Sequence, residues 1–365
     1  MKNYDFLIVG AGLFGATFAH EATKRGKRCL VIEKRSHVGG NVYTERIEGI
    51  DVHVYGPHIF HTDDEIIWNY VNSITPFNDF INSPLAKVGD KYYHLPFNMN
   101  TFKAFWGVET AEEAKAKLAS ERVDIPFPKT IEDQALSTVG RDFYETFIKG
   151  YTEKQWGRPC SSLPASILKR IPLRFTYDNN YYNDRYQGVP VNGYTHLIEK
   201  MLEGVEVRLN ADYFAFVREN GCVADKIVFT APIDYYFGYK LGKLEYRTVR
   251  FETELLNREY YQPAAVVNYP SINAPFTRVI EHKRFNDLGG DKTIISREYS
   301  EEWSDSSEPY YPINDEKNTA LYEEYVRLAE KETNVYFAGR LGSFRYADMD
   351  DTVFAALTLS KKLLN

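Results

Sequence analysis

The chain has 365 residues and a formal net charge of -7 at pH 7. Apolar residues make up 44% of it and charged residues 26%, a composition that is typical of globular proteins and excludes disordered, collagen-like and coiled-coil classes. Its apolar runs, such as residues 6–9, are far shorter than the ~20 residues of a membrane-spanning helix. The acidic charge argues against nucleic acid as a partner.

The cysteines indicate a reducing compartment. Cys29, Cys160 and Cys222 are odd in number and far apart, which argues against a disulfide framework and against a cysteine zinc site. A strand-like run begins at Tyr4 and leaves no room for a signal peptide. We therefore expect a cytoplasmic protein without a metal, with two or three domains at ~100–200 residues each.

The first forty residues carry a dinucleotide-binding pattern. The order is strand, glycine-rich turn, helix, strand and acidic residue, over 5–9, 10–15, 13–25, 29–32 and Glu33. In the G-x-G-x-x-G turn, Gly10 permits the bend, Gly12 admits a pyrophosphate and Gly15 lets the helix pack closely. The helix N-terminus attracts phosphate, and Glu33 can accept hydrogen bonds from ribose hydroxyls. This order is the context that the motif requires.

Two later segments favour FAD over NAD as the dinucleotide. Gly39 and Gly40 complete an E-x(5)-G-G pattern after Glu33, and this pattern resembles the glutathione-reductase-like flavoproteins. Asp348 precedes a predicted helix over 349–364, and in such flavoproteins a late helix returns its N-terminus to the flavin. Asp348 also fits a plain helix N-cap. A second G-x-G-x-x-G for NAD(P)H is not present in the sequence.

The rest of the chain predicts two insertions into the dinucleotide-binding domain. A mainly helical region covers 62–175, and an α/β region covers about 185–230. A strand-rich region then covers 244–300. The helices are predicted at 64–71, 111–118 and 131–149, and the strands at 205–209, 226–230, 249–253, 264–268, 278–281 and 293–296.

Several polar residues remain open to more than one interpretation. His58 and His61 lack further metal ligands nearby, so that they are either close to a flavin or structural. Arg170 and Arg174 lie near prolines and are either a solvated surface pair or include a mobile arginine that closes on a phosphate. Further arginines, together with tyrosine hydroxyls, would suit the pyrophosphate of a nucleotide sugar. These further arginines are Arg247, Arg250 and Arg278.

Over nearly its whole length the chain resembles the bacterial UDP-galactopyranose mutase family. The resemblance rests on specific stretches, at 9–16, 31–41, 55–62, 95–102, 148–158, 185–205 and 308–315. It implies a mixed α/β fold with a Rossmann-like FAD-binding domain, an inserted helical-bundle domain and an antiparallel β-sheet domain. The implied boundaries are 1–65, 185–240 and 325–365 for the FAD domain, 66–175 for the helical domain with a mobile loop near 160–175, and 176–184 with 241–324 for the sheet domain.

The family's reaction interconverts UDP-galactopyranose and UDP-galactofuranose without net redox change, yet it requires reduced FAD. The resemblance implies that flavin N5 attacks C1 of the sugar, that UDP leaves, and that the ring opens through an iminium intermediate. The protein then supplies geometry and neutralises the departing pyrophosphate. The resemblance also implies a homodimer and a role in cell-wall, capsule or lipopolysaccharide biosynthesis.

The resemblance also assigns roles to residues of this sequence. The implied catalytic residues are Arg170, Arg278 and His61. The implied substrate-binding residues are Asn82, Phe147, Tyr151, Thr152, Trp156, Tyr181, Arg247, Asn268, Tyr311 and Tyr346. The implied FAD-binding residues are Gly10, Gly12, Phe14, Gly15, Glu33, Lys34, Gly40, Asn41, His58, Ile59, Asp212, Tyr213, Arg340, Asp348, Met349 and Thr352. Pro57 departs from the family pattern beside His58.

Two other functions share parts of these observations. A flavin oxidase of the amine-oxidase type has the same FAD domain, but it would consume oxygen and need no reductant. A binding module that kept the fold, as Rab GDP-dissociation inhibitors did, need not retain the phosphate-binding glycines, which are intact here. Some relatives accept UDP-N-acetylgalactosamine, and the sequence leaves that side activity open.

Overall fold

The computed structural model describes residues 3–168, 171 and 173–364. Arg170 of the predicted mobile loop lies outside these described residues, as do its neighbours Lys169 and Pro172. The chain folds into two compact units. Unit 1 contains residues 1–79, 184–248 and 303–365, and unit 2 contains residues 80–183 and 249–302. The predicted helical and strand-rich regions both contribute to unit 2, and the three implied domains with their boundaries stay a prediction.

Strands and helices alternate along much of the chain. The strands are β1 (Tyr4–Val9), β2 (Cys29–Ile32), β3 (Thr44–Ile47), β4 (Ile50–His53), β5 (Phe60–Thr62), β6 (Leu85–Val88), β7 (Lys91–His94), β8 (Tyr186–Gly188), β9 (Glu206–Arg208), β10 (Ala224–Phe229), β11 (Tyr246–Leu256), β12 (Val266–Asn268), β13 (Arg278–Glu281), β14 (Thr293–Glu302), β15 (Tyr311–Pro312) and β16 (Val335–Phe337). The helices are α1 (Leu13–Lys24), α2 (Glu65–Ile74), α3 (Met99–Trp106), α4 (Ala111–Glu121), α5 (Ile131–Phe143), α6 (Lys149–Trp156), α7 (Gly193–Met201), α8 (Tyr213–Asn220), α9 (Ile233–Tyr236), α10 (Glu316–Ala329), α11 (Gly339–Gly342) and α12 (Met349–Leu364).

Unit 1 is built on a parallel five-stranded sheet in the order β16-β10-β1-β2-β9. Strand β1 is central, and its last residue Val9 lies opposite both Ile32 and Phe229. The continuous apolar strand β2 is buried along its whole length, as expected for a parallel strand covered on both faces. Helix α1 packs against α7 and α12. The predicted Rossmann-like fold class is confirmed.

Two short ribbons complete unit 1. Strands β3 and β4 form an antiparallel hairpin. Strands β5 and β8 also pair in the antiparallel direction, and this register sets His61 opposite Gln187. The ribbon matters for function because it joins residues that are more than a hundred positions apart in sequence.

Unit 2 combines helices with a mainly antiparallel sheet. Its strands lie in the order β11-β14-β13-β12-β6-β7, and only the β12–β6 pair among the described registers in this unit is parallel. Strand β11 starts in unit 1, where Arg247 pairs with Tyr311. Strands β6 and β7 lie in the region predicted as mainly helical, while β13 begins and ends as predicted.

The helix predicted over 131–149 is broken in the structure. It ends at Phe143, a π-helical turn follows over Tyr144–Ile148, and α6 then begins at Lys149. The backbone leaves helical geometry at Gly140, with φ 79° and ψ 178°. A Cβ atom there would lie 2.5 Å from the carbonyl oxygen of Glu121, so that only glycine fits between α5 and the end of α4.

Aromatic rings form much of the core of unit 2. Phe143 contacts the rings of Phe97, Phe102, Phe105 and Trp106 at centroid distances from 4.6 to 5.7 Å. None of the helices within residues 3–168, 171 and 173–364 combines the length and apolar character of a membrane-spanning segment.

Candidate active site

The glycine-rich turn of unit 1 forms a tight backbone cradle. Gly10 has φ +105°, and a Cβ atom on Gly15 would lie only 2.1 Å from the carbonyl oxygen of Gly10. Gly12 forms an isolated bridge to Gly39, and a Cβ atom on Gly40 would lie 3.0 Å from the Cα of Gly12. The two predicted glycine pairs therefore meet in space, and bare backbone lines the start of helix α1.

Glu33 is held by backbone groups of this cradle. Its carboxylate oxygens accept hydrogen bonds from the N–H groups of Ala11 at 2.9 Å and Arg35 at 2.9 Å. The side chain is buried. A carboxylate offers about four lone-pair positions, so that both oxygens keep acceptor capacity for ribose hydroxyls.

Arg35 lies beside Glu33 and was not among the predicted site residues. Its Nη2 donates to Asn41 Oδ1 at 3.0 Å and to Glu308 Oε2 at 2.9 Å, and its guanidinium stacks over the Tyr55 ring at 4.5 Å. Burial alone would lower the pKa of Arg35, but Glu308, Tyr55 and Glu33 together hold that pKa above its ordinary value. Among the described residues, the buried Nη1 atom of Arg35 has no hydrogen-bond partner.

The segment after β16 lies against the glycine turn. A Cβ atom on Gly339 would approach the side chain of Thr230 at 3.2 Å and Phe14 at 3.6 Å. The adjacent Arg340 donates to the carbonyl oxygen of Tyr310, and burial lowers the pKa of Arg340 below its ordinary value.

A group of predicted ligand-binding residues gathers around Arg340 in unit 1. Tyr311 and Tyr346 have stacked rings at a centroid distance of 6.3 Å. Arg247 is almost fully buried, and its carbonyl oxygen accepts the Tyr310 N–H at 3.0 Å. The Tyr311 and Tyr346 side chains lie close enough to Arg340 to affect its pKa, and Arg247 adjoins this cluster through its backbone; an arginine with tyrosine hydroxyls is a chemistry suited to an anion.

The β5–β8 ribbon brings His61 to an acidic partner. Nδ1 of His61 lies 2.7 Å from Oδ2 of Asp184. Burial raises the pKa of Asp348, with His61 lowering it and the acidic neighbours Asp350, Asp351 and Asp184 raising it. The structure therefore brings together His61 and Asp348, both of which are predicted site residues.

Other predicted FAD-binding residues of unit 1 contact neighbouring protein groups. Nδ1 of His58 lies 2.7 Å from the carbonyl oxygen of Gly56. Asp212 caps α8 by accepting the Ala215 N–H at 3.0 Å, and Tyr213 is buried in the core beside the sheet. Nζ of Lys34 lies 3.1 Å from Glu308.

A separate open cleft of about 610 Å³ in unit 1 is lined by residues that include Ser36, His37, Asp51 and His196, and by none of the predicted site residues.

In unit 2, helix α6 carries Tyr151, Thr152 and Trp156. Thr152 is buried, and Trp156 packs against the main hydrophobic cluster of the unit. Phe147, from the preceding π-helical turn, is buried among aromatic rings, with Tyr93 at 5.1 Å. Tyr181 is 42% exposed, and its N–H donates to the carbonyl oxygen of the buried Asn82 at 2.8 Å.

Arg278 begins strand β13 in unit 2 and lies opposite Asn268 of β12. Glu298 of β14 holds the guanidinium through Nε at 2.7 Å and Nη2 at 2.6 Å. The same carboxylate accepts the Thr277 hydroxyl at 3.0 Å. The register of three strands therefore fixes one predicted catalytic arginine beside one predicted substrate-binding asparagine.

Comparison with known proteins assigns the family. The UDP-galactopyranose mutase family model matches residues 146–346, which is more than half of the chain. A probable UDP-galactopyranose mutase of Klebsiella pneumoniae is 41% identical over 372 aligned residues that cover 100% of this chain and 96% of the relative. The chain belongs to the UDP-galactopyranose mutase family of isomerases.

Other comparisons agree with this family and place its fold. A dTDP-fucopyranose mutase of Escherichia coli is 37% identical, with 96% of each chain covered. A solved structure of a reduced UDP-galactopyranose mutase superposes with a TM-score of 0.78, covering 99% of this chain and 96% of that one at 15% identity, which shows the fold alone. A Rossmann-like NAD(P)-binding model matches residues 8–74.

Within this member of the UDP-galactopyranose mutase family, sequence reasoning missed four charged residues, which are Arg35, Glu308, Asp184 and Glu298. Arg35 and Glu308 pair next to Glu33, Asp184 pairs with His61, and Glu298 pairs with Arg278. The sequence shows no spacing that could reveal these pairs. Groups of three or more side chains suited to a metal ion are not found among the described residues.

Proposed function

We propose that this chain interconverts UDP-galactopyranose and UDP-galactofuranose, with FAD held by unit 1. The observation that carries the proposal is the 41% identity to a probable UDP-galactopyranose mutase over the whole chain. The arginine and tyrosine cluster around Arg340 supports a substrate that carries a pyrophosphate. We further propose a cytoplasmic homodimer that supplies galactofuranose for cell-surface polysaccharides.

The residues of unit 1 fit FAD. The backbone cradle at Gly10, Gly12 and Gly40 leaves no side chain between the helix N-terminus and a pyrophosphate. Glu33 keeps acceptor capacity for the ribose, and the buried Nη1 of Arg35 offers a donor that the described protein atoms do not use. Reduced FAD, when bound, supplies N5 as a nucleophile toward C1 of the sugar, which explains a reductant requirement without net redox change.

We assign to the chain's own residues the task of holding the nucleotide. Arg278 and Arg170 would neutralise the pyrophosphate as the bond to C1 breaks. Tyr181, Tyr311 and Tyr346 would act as hydrogen-bond donors to phosphate oxygens. Other residues would position the nucleotide sugar, namely Asn82, Phe147, Tyr151, Thr152, Trp156, Arg247 and Asn268.

The remaining assignments concern the FAD side. His58, Ile59 and His61 would border the isoalloxazine, and the start of helix α12 would face the flavin. The other residues assigned to FAD are Phe14, Gly15, Lys34, Asn41, Asp212, Tyr213, Arg340, Asp348, Met349 and Thr352.

The activity is tested on the purified protein with UDP-galactofuranose, with and without dithionite, and the products are separated by HPLC. We expect conversion to UDP-galactopyranose only under reducing conditions. No conversion in a yellow, folded and fully reduced sample would refute the proposed substrate. Oxygen consumption without a reductant would instead identify a flavin oxidase, and a colourless folded protein would identify a binding module.

A second candidate substrate is a dTDP-linked 6-deoxyhexose. The 37% identity to a dTDP-fucopyranose mutase over 96% of each chain favours the same ring contraction on a different nucleotide sugar. The same assay with dTDP-fucofuranose decides between the two. We expect the higher kcat/KM for UDP-galactofuranose, because the identity to the UDP-galactopyranose mutase is higher and extends over the whole chain.

Asp184→Asn is expected to lower turnover by about tenfold. The carboxylate accepts a hydrogen bond from Nδ1 of His61 at 2.7 Å and so fixes the ring orientation. The loss of a partner that orients a metal-binding histidine costs roughly 10–100-fold, and we expect the lower end of that range for this ring. Turnover is measured for Asp184→Asn, His61→Gln and the double variant. If Asp184 acts through His61, the double variant loses no more than His61→Gln alone; additive losses would contradict the assignment.

A further inference from the structure

Lys154 of helix α6 inserts its ammonium group into a cluster of backbone carbonyl oxygens in unit 2. Four carbonyl oxygens surround Nζ, from Tyr269 at 2.5 Å, Ser271 at 2.9 Å, Ala274 at 3.0 Å and Phe276 at 2.9 Å. All four belong to residues 269–277, which connect β12 to β13 and which we call the β12–β13 loop. An ammonium group has three protons to donate. Here four carbonyl oxygens surround it, in the way that oxygen ligands surround a bound cation.

Other contacts show that α6 lies directly against this part of unit 2. A Cβ atom on Gly150 would lie 2.3 Å from the carbonyl oxygen of Pro270. The hydroxyl of Ser300 on β14 donates to the carbonyl oxygen of Gln155 at 2.5 Å. The loop is closed at its base by the Tyr269 N–H, which donates to the Thr277 carbonyl at 2.8 Å. Lys154 therefore fills the interior of a loop whose ends are already joined.

The residues assigned to the substrate flank both sides of this contact. Asn268 immediately precedes the loop, and Arg278 immediately follows it. Thr152 and Trp156 lie two positions before and after Lys154 on α6. A shift of the loop relative to the helix would thus move the two pairs relative to each other.

We propose that Lys154 is a positioning residue, whose ammonium acts as an internal cation that fixes the β12–β13 loop on α6 and so orients Arg278 and Asn268 relative to Thr152 and Trp156. This role rests on the proposed function of those four residues. Lysine suits this cluster of carbonyl oxygens better than arginine does. A compact ammonium can donate in several directions, whereas the guanidinium of arginine is planar and donates in one fixed fork. An uncharged side chain would leave several carbonyl oxygens facing each other.

The test uses holoenzyme variants on helix α6. Lys154→Ala is expected to lower kcat by on the order of 10²-fold, because a misplacement of about 1 Å has that effect on positioned groups. The matched control is Lys149→Met, which removes a lysine of the same helix whose ammonium pairs with Glu145 at 3.0 Å. The control is expected to keep kcat within about twofold, since exposed ion pairs contribute little.

Chemical rescue separates positioning from general stabilisation. n-Propylammonium replaces the atoms that Lys154→Ala removes and is expected to restore kcat at least about tenfold, whereas neutral propanol of similar size restores none. Lys154→Arg is expected not to restore it. A kcat for Lys154→Ala within about twofold of wild type would overturn the proposal, as would a loss that n-propylammonium and propanol relieve equally or not at all.

A readout without substrate keeps this test independent of the proposed function. Amide hydrogen exchange of residues 269–278 in the holoenzyme is expected to rise in Lys154→Ala, to fall again with n-propylammonium, and to stay unchanged in Lys149→Met. Unchanged exchange in Lys154→Ala would refute the positioning role even if the wild type converts UDP-galactofuranose. A wild type without conversion but with these exchange changes would refute the proposed function alone.

Discussion

Arg278→Ala is expected to lower kcat/KM for UDP-galactofuranose by on the order of 10³-fold, because a single preorganised donor to a developing negative charge contributes about that much. The guanidinium is held on β13 by Glu298 through Nε and Nη2, so that its direction is set before any substrate binds. FAD content per chain is expected to stay at the wild-type value, since the glycine cradle and Glu33 belong to unit 1. Steady-state kinetics and flavin absorbance per polypeptide measure the two quantities.

A loss of folding must be separated from a loss of catalysis in this variant. Removing Arg278 leaves the buried Glu298 without its cation, and breaking a buried pair costs roughly 3–5 kcal/mol, less here because Arg278 is partly exposed. The double variant Arg278→Ala/Glu298→Gln removes that stranded charge. It is expected to regain stability in denaturant unfolding while kcat/KM stays low. Recovery of kcat/KM together with stability would show that Arg278 is only a structural residue.

A matched arginine on another strand of the same sheet provides the control. Arg250 of β11 is one of the three arginines that the sequence offers for a pyrophosphate, but in the structure it is exposed and pairs with Glu252 and Glu301. Arg250→Ala is expected to keep kcat/KM within about twofold of wild type, since exposed ion pairs contribute little. Wild-type kinetics in Arg278→Ala, or an equal loss in both variants, would remove the basis for the phosphate assignment.

The parts of the fold that sequence predicts are those encoded by contiguous residues. The order of β1, the glycine turn, α1, β2 and Glu33 can be read directly, because each piece follows the previous one within a few residues. Helix α12 occupies the predicted residues for the same reason, since its apolar positions recur at helical spacing.

The break in the helix at Gly140 shows a feature that apolar spacing in the sequence does not predict. The apolar spacing over 131–149 continues across the glycine, so that it predicts one helix. The chain bends there because Glu121 of α4 occupies the space that a Cβ atom would need. That contact joins residues of two different helices, so the helix propensity of the residues around Gly140 cannot predict it.

Strands β6 and β7 explain why the helical and strand-rich regions share one unit. Val267 of β12 pairs with Leu85 of β6, so that a strand of the predicted helical insertion extends the sheet of the other insertion. The run over 85–94 is short and sits between helices in sequence, and only its pairing with β12 makes it part of a larger sheet.

The candidate site also contains one part that contiguous sequence predicts and another part that depends on contacts between distant segments. The glycines and Glu33 form a motif whose function depends on spacing, and the structure places them together. The partners Asp184, Glu298 and Glu308 meet His61, Arg278 and Arg35 through strand register or loop packing. Residues that act through such partners therefore become visible only in the folded chain.

Gly15→Ala is expected to weaken FAD binding by about tenfold to a hundredfold, because overpacking of a tight contact costs about 1–3 kcal/mol and 1.4 kcal/mol is a factor of ten. The added Cβ would lie 2.1 Å from the carbonyl oxygen of Gly10 and 3.2 Å from Ile8. Both atoms belong to the strand and turn that shape the cradle, so that helix α1 must move outward and carry its N-terminus away from the pyrophosphate. Flavin per chain and the affinity of the apoprotein for FAD measure the effect.

The control for this prediction is a glycine in open space. Among the described residues, nothing lies within 4 Å of a Cβ atom on Gly289, and its backbone is outside the left-handed region. Gly289→Ala is therefore expected to bind FAD as the wild type does. Full flavin content and unchanged affinity in Gly15→Ala would mean that the cradle yields without loss, and the close packing of α1 on the turn would then not be what holds the cofactor.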